Sequence, residues 1–130
     1  MYRVDFYKNK NGKSPILEYL KELKEKTDKS SRIKLKKIHD HINYLKLNGP
    51  HAKEPYAKHL EDYIWELRPI RDRILYAAWD DNRYVLLHLF QKETKKTPKS
   101  EIQQAKRNLS DYRKRGGTDE NGKKNSNKSS

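Results

Sequence analysis

Three arginines lie within six positions of one another, in a segment that otherwise has the composition of buried strands. The segment spans residues 63–79 and reads YIWELRPIRDRILYAAW, and the arginines are Arg68, Arg71 and Arg73. Arginine is uncommon in the middle of a strand unless its guanidinium group meets an anion. Because the planar guanidinium group binds phosphate through two parallel hydrogen bonds, phosphate is the ligand that this pattern predicts.

Strand alternation predicts where the first of these arginines lies. In WELR, Trp65 and Leu67 share one face of a strand, and Glu66 and Arg68 share the other. Trp65 and Leu67 are the natural core residues of this strand. Arg68 is therefore expected on an open face of the sheet.

The same alternation continues after the proline break. Ile74 and Tyr76 point one way, and Arg73 points the other way together with the small Ala77. The small side chain is expected to leave room for a ligand beside Arg73. Arg71 is expected to be a turn residue without a role in binding.

A structural alternative explains the same arginines without any ligand. Acidic residues lie close by in the sequence, and ordinary cross-strand ion pairs would satisfy the guanidinium groups. The candidate partners are Glu66, Asp72 and Asp80.

A lysine-rich segment, FQKETKKTPKSE, follows the last predicted strand. It brings Lys92 to the end of that strand and three further lysines to the start of the final helix, whose N-terminus carries a partial positive charge. Arg68, Arg73 and Lys92 are therefore expected to converge on one phosphate group.

Other kinds of reactive site find little support in the sequence. The chain has no cysteine, and its five histidines lack the spacing of a metal-binding motif. There is no glycine-rich phosphate loop and no GxSxG motif. We expect neither a metal site nor a cofactor.

Charge and hydropathy indicate the class of partner. The chain has 130 residues, and 31 lysines and arginines against 18 acidic residues give a net charge of +13. Such a surface attracts polyanions, which favours nucleic acid or the ribosome over a merely solubilising role for the lysines. No apolar run approaches the roughly 20 residues of a membrane span, and the N-terminus does not resemble a signal peptide, so we expect a cytoplasmic protein.

Hydrophobic periodicity and turn signals predict one folded domain over 1–115. The polar stretch 116–130, GGTDENGKKNSNKSS, is predicted to be a disordered basic tail. Helix starts are predicted at Ser14–Pro15, near Asp28–Ser31 and at Thr97–Pro98, and a helix stop at Asn48–Gly49–Pro50. Strands are predicted at 2–7, 62–69, 71–79 and 83–90, with a loop over 51–61 and a polar turn at 80–82.

The predicted element order is β-α-α-β-β-β-α, which indicates an α+β fold with an antiparallel sheet packed by helices. In such a fold one face of the sheet is expected to be buried by the helices. The other face is expected to be free to hold a ligand.

The segment WELRPIRDRILYAAWDDNRYVLLHLFQKETKKTPKSEIQQAKRNLSDYRKR resembles the HigB-type toxins of the RelE superfamily, in their phage-derived branch. The shared pattern is WELR, then RxxY, a short hairpin, LLHxF, TPxxEI and a final A-x-R, over about residues 60–115. One departure lies in FQKE, where Glu93 stands in place of the second lysine of the family's FxKK.

The resemblance implies a microbial-ribonuclease-like fold and a toxin of a type II toxin–antitoxin system that cleaves mRNA on the ribosome. It implies catalytic roles for Arg73, Lys92 and the ELR arginine, Arg68. It also implies a helix-turn-helix antitoxin of the HigA type as partner, in a toxin–antitoxin hetero-oligomer. The surface lysines expected to bind RNA are Lys53, Lys58, Lys95, Lys96 and Lys99, and the general base is not assigned.

Two other functions are compatible with the same basic residues. A non-catalytic module of phage or plasmid origin would use them only to grip host RNA or a host protein. A DNA-binding regulator is less favoured, because no segment reads as a recognition helix and the basic residues lie on strands and strand ends.

Overall fold

The computed structural model describes residues 1–116, which form five strands and three α-helices. A single 3₁₀ turn, Gly49–His51, follows the second helix. The elements are β1 (Arg3–Phe6), α1 (Pro15–Glu25), α2 (Lys29–Asn48), β2 (Ala57–Glu61), β3 (Ile64–Leu67), β4 (Asp72–Asp80), β5 (Arg83–Gln91) and α3 (Lys99–Lys114).

The first two helices begin at the residues that the sequence predicts. Ser14 caps α1, because its Oγ accepts a hydrogen bond of 3.2 Å from the backbone N–H of Leu17. Asp28 caps α2 in the same way, through a bond of 2.9 Å from the N–H of Ser31. Both predictions are confirmed.

Gly49 ends α2 in a conformation that only glycine adopts easily. Its φ is +49°, and a Cβ placed on it would overlap the ring of Tyr2. We expect Gly49→Ala to lower the free energy of unfolding by about 2 kcal/mol or more, because it adds both backbone strain and a clash. Urea denaturation measures this.

Gly12→Ala is the matched control, since Gly12 also has a positive φ, of +79°, but open space where the Cβ would go. Gly12→Ala should lower the free energy of unfolding through backbone strain alone. A loss for Gly49→Ala no larger than that for Gly12→Ala would contradict the role assigned to the Tyr2 contact.

The sheet has the strand order β1-β5-β4-β3-β2. The three hairpin contacts are antiparallel, but β1 pairs with β5 in parallel, so the sheet is mixed rather than purely antiparallel. The α+β class is confirmed. The predicted loop over 51–61 is wrong in its second half, because 57–61 forms the edge strand β2, whose single fully buried residue, Ala57, leaves little hydrophobic signal.

Helices cover both faces of the sheet. Leu20 of α1 and Ile38 of α2 pack with Ile74 of β4 on one side. On the other side α3 packs on the sheet through its apolar stripe, so that Leu75 and Ala77 are fully buried. The expected open face is therefore wrong, and Ala77 leaves no room for a ligand. The open surface lies at the end of the sheet instead.

The predicted tail falls almost entirely on 117–130, outside the described residues, and the boundary at 115 stays a prediction. None of the helices within 1–116 has both the length and the apolar character needed to cross a membrane.

Candidate functional site

A groove with a volume of about 320 Å³ opens at the end of the sheet where β4 begins and β5 ends. It forms because the turn before β4 and the loop after β5 both project beyond the sheet. Four of its seven lining residues are basic. The complete lining is Ile70, Arg71, Arg73, Lys92, Glu93, Thr94 and Lys95.

Arg73 is the residue that the fold holds most firmly in this groove. Its side chain is not on an open face as expected but lies in the groove wall, with only 7 % of the residue exposed. Nη1 donates hydrogen bonds of 2.8 Å to the carbonyls of Ile70 and Asp72. Within residues 1–116, Nε and Nη2 of Arg73 make no side-chain hydrogen bond. This edge of the guanidinium group is therefore available to a ligand.

The electrostatic surroundings of Arg73 combine both signs of charge. Burial lowers the pKa of Arg73, the carboxylate of Glu66 partly offsets this, and the charge of Arg68 lowers the pKa further. An arginine remains protonated in such surroundings. The side chain is therefore a partly desolvated cation, which gains more from an incoming phosphate than an exposed arginine would.

Lys92 and Arg71 both line the groove, from the loop after β5 and the turn before β4. The N–H of Lys92 donates a hydrogen bond of 2.7 Å to the carbonyl of Arg71, which ties the two loops together. Lys92 thus lies in the same groove as Arg73, as predicted. Arg71 is a turn residue, as predicted, but it also lines the groove, and its position two residues before Arg73 is the signal that could have shown this.

Arg68 is not among the residues that line the groove. Its Nε lies 3.4 Å from Oε1 of Glu66, a carboxylate with only 1 % of the residue exposed. The pairing with Glu66 that the structural alternative predicts is therefore present. A catalytic contact of Arg68 with the phosphate stays a prediction, and the geometry gives it the additional role of neutralising a buried charge.

Glu66 also holds the loop that leads from the groove into α3. Thr97 Oγ1 donates a short hydrogen bond to Oε2 of Glu66. The prediction that Thr97 caps α3 is wrong, because Pro98 occupies the N-cap position and the Thr97 hydroxyl bonds to Glu66 instead. Glu66 thus connects Arg68 with the loop that carries the groove lysines.

A second buried carboxylate belongs to the residue that precedes Arg73 in β4. Asp72 has 1 % of its surface exposed, and its Oδ1 accepts a hydrogen bond of 3.3 Å from the Tyr19 hydroxyl of α1. Burial raises the pKa of Asp72, against the opposing effects of Lys34, the Tyr19 hydroxyl and Arg73. Tyr19 therefore fixes the start of β4, and with it Arg73, against the helical layer.

A family model described as phage derived protein Gp49-like (DUF891) matches residues 18–110 of the chain. The match covers most of the described fold and includes every residue that lines the groove. The chain belongs to the Gp49-like family. This family is RelE-like and is associated with toxin–antitoxin systems. No curated protein matches the chain.

The lysines predicted to bind RNA occupy different parts of this Gp49-like protein. Lys95 lines the groove. The other four are exposed on the surface: Lys53, Lys58, Lys96 and Lys99. Lys58 lies on the edge strand β2, where it pairs with Glu66 of β3. Their contact with RNA stays a prediction.

Acidic and histidine side chains do not gather into a metal site in the part of this Gp49-like chain that the structure describes: no group of three or more has the required proximity.

Proposed function

We propose that this Gp49-like protein is the HigB-type toxin of a type II toxin–antitoxin pair and that it cleaves mRNA on the ribosome as an endoribonuclease. The observation that carries the proposal is the fixed position of Arg73, whose Nη1 is bound by two carbonyls in the wall of a groove that Lys92 also lines. A guanidinium edge and an ammonium group around one cavity suit the phosphate of a polynucleotide.

The reaction needs no external nucleophile. The ribose 2′-OH attacks the adjacent phosphorus in line while the P–O5′ bond breaks, which leaves a 2′,3′-cyclic phosphate and a 5′-OH. The proton leaves the 2′-OH, and the 5′ oxygen gains one. Arg73 would hold the non-bridging oxygens of the phosphorane through Nε and Nη2, and Lys92 would stabilise the charge or protonate the 5′ oxygen.

A RelE-like topology is part of the same proposal. Its support is the family match together with the order β-α-α-β-β-β-β-α and a central sheet that ends at the basic groove. The cognate partner would be a helix-turn-helix antitoxin, and the two chains would form a hetero-oligomer.

The proposed ribosome dependence is supported by what the groove supplies. It offers cations for charge stabilisation but no side chain to which the role of general base is assigned. We therefore expect the ribosome to position the message and its 2′-OH. Purified protein should cut mRNA in programmed ribosomes and leave the same naked mRNA largely intact, as primer extension would show.

Equal cutting of naked and ribosome-bound mRNA would contradict this dependence while leaving the nuclease activity in place. Matched reactions with and without ribosomes, at the same salt and protein concentration, separate the two outcomes.

The groove charges should set the salt dependence of RNA binding. Lys95→Ala removes one cation from the groove lining and should lessen the slope of log K against log salt by about one unit. Glu93→Lys should steepen the slope and tighten binding, because it replaces a repelling carboxylate with a cation. Fluorescence anisotropy with a labelled RNA at several salt concentrations measures both.

Lys24→Ala is the control for this pair, since Lys24 is an exposed lysine in the last turn of α1 and does not line the groove. It should leave the slope unchanged. A slope that is the same in all three variants would contradict the binding of phosphate in the groove.

A further inference from the structure

An exposed tyrosine is bound through its backbone to Arg68, and neither the mechanism nor the family match gives it a role. Tyr56 directly precedes the edge strand β2 and has 45 % of its surface exposed. Its ring packs against that of Tyr44 at 4.6 Å between centroids, with 35° between the planes. The imidazole of His41 meets it edge to face at 5.7 Å. We call Tyr44, Tyr56 and His41 the aromatic platform.

Backbone hydrogen bonds fix the platform in place. The N–H of Tyr56 donates to the carbonyl of Lys53 at 3.0 Å, and the N–H of Lys53 in turn donates to the Tyr44 hydroxyl at 3.0 Å. The carbonyl of Tyr56 accepts a bond of 3.1 Å from the N–H of Arg68. The exposed ring therefore has a defined position next to Arg68, unlike a tyrosine on a mobile loop.

His41 supports the ring as a neutral group. Its Nδ1 lies 2.9 Å from the carbonyl of Lys37, which can only accept a hydrogen bond, so Nδ1 carries the proton. Burial lowers the pKa of His41, and the charges of Lys37 and Arg73 add to this effect.

The platform has the properties of a stacking site for a planar ligand. The Tyr56 ring packs against two other rings, and 45 % of the residue's surface is open to solvent next to the backbone of Arg68. Other proteins bind single-stranded nucleic acid with the same combination of groups. Cations follow the sugar–phosphate backbone, and aromatic side chains stack on the bases. Since every base has a π face, stacking of this kind tolerates different sequences.

We propose that Tyr56 stacks a nucleobase of single-stranded RNA whose neighbouring phosphate lies in the groove of Arg73 and Lys92. The proposal rests on the proposed function for the nature of the ligand. It adds a binding subsite next to the cleavage groove, with Tyr56 as a positioning residue for the RNA strand.

The chain contains a matched control for this role. Tyr63 is also exposed, with 66 % of its surface accessible, but it lies at the opposite end of β3 from Arg68. The guanidinium group of Arg113 covers its ring at 5.0 Å from the centroid. Tyr63 thus has a similar chemistry without an open face near the groove.

The test measures binding of a short, fluorescent, single-stranded RNA with 2′-O-methyl riboses, which the protein cannot cleave by 2′-OH attack. Tyr56→Ala should weaken binding by about 5- to 150-fold, the range for loss of one stacked base. Tyr56→Leu should weaken it similarly, whereas Tyr56→Trp and Tyr63→Ala should bind as the wild type does. The salt slope should stay unchanged in Tyr56→Ala, because no phosphate contact is removed.

A second experiment uses RNA strands in which one nucleotide lacks its base. Moving one abasic site along the strand should identify a position at which the wild type loses affinity and Tyr56→Ala loses no more. The proposal is overturned if the wild type shows no measurable binding, if Tyr56→Ala and Tyr56→Leu bind like the wild type, or if Tyr63→Ala weakens binding as much as Tyr56→Ala.

Failure of the stacking site and failure of the proposed function give different results. Arg73-dependent mRNA cleavage with no effect at Tyr56 would remove only the platform. An effect of Tyr56 and of the abasic site on RNA binding, in a protein that does not cleave mRNA on the ribosome, would support the platform and remove only the nuclease.

Discussion

Arg73→Ala is expected to lower kcat for mRNA cleavage on the ribosome by about 100-fold or more. The reason is that Arg73 is the one groove cation whose guanidinium group is held by two carbonyls before any ligand arrives. A donor fixed in this way stabilises the developing phosphorane charge without reorganisation in the transition state. Single-turnover cleavage of mRNA in programmed ribosomes measures the effect.

Two variants make this result interpretable. Arg73→Lys keeps the charge but not the planar fork, so its rate should lie between those of the wild type and Arg73→Ala. Arg107→Ala removes an exposed arginine of α3 that bonds to Gln104 at 2.7 Å and should cleave normally. The thermal unfolding of each variant should also be measured, since Arg73→Ala leaves two backbone carbonyls without their hydrogen-bond donor. A folded Arg73→Ala protein with wild-type kcat would contradict the assignment.

Arg68→Ala is expected to lower the free energy of unfolding by about 3 kcal/mol, because it leaves the buried carboxylate of Glu66 without its cation. The side chain of Glu66 is 2 % exposed and that of Arg68 26 % exposed, so water reaches the pair from the arginine side only. Urea denaturation gives the change. Activity should fall mainly in proportion to the folded fraction.

Replacing both partners tests this explanation. Arg68→Leu combined with Glu66→Leu removes the uncompensated charge and should recover much of the stability lost in Arg68→Ala. Lys36→Ala breaks an exposed pair with Asp40 on α2 and should have no measurable effect. If Arg68→Ala were as stable as the wild type and lost only kcat, Arg68 would act directly on the phosphate.

Local patterns in the sequence predicted much of the fold. The caps Ser14 and Asp28 and the stop at Gly49 act through neighbouring atoms, so the residue type is enough to place them. Alternation placed Ile74 and Tyr76 in the core for the same reason, because successive side chains of a strand must point to opposite faces.

The rest depended on how distant elements pack. An amphipathic stripe in α3 shows that the helix docks but not on which face of the sheet, and its docking opposite α1 and α2 buried the face expected to be open. Arg73 was placed on the correct strand, yet its anchoring depends on Ile70, which has a φ of +50° that no local rule predicts for isoleucine.

Within the site, the sequence predicted the presence of Arg73 and Lys92 but not their neighbours. Arg71 was set aside because turn residues are usually solvated, and only the pairing of its carbonyl with Lys92 brings it to the groove. Glu66 was treated as a possible ion-pair partner, and its bond to Thr97, 31 residues away, could not be read from spacing.

The most direct test of the central claim is to determine the chemical ends of mRNA after incubation with programmed ribosomes and the purified protein. The proposed mechanism gives new breaks with 5′-hydroxyl and 2′,3′-cyclic phosphate ends, and these are absent with Arg73→Ala. Arrested translation with intact mRNA, or breaks with 5′-phosphate ends, would contradict it.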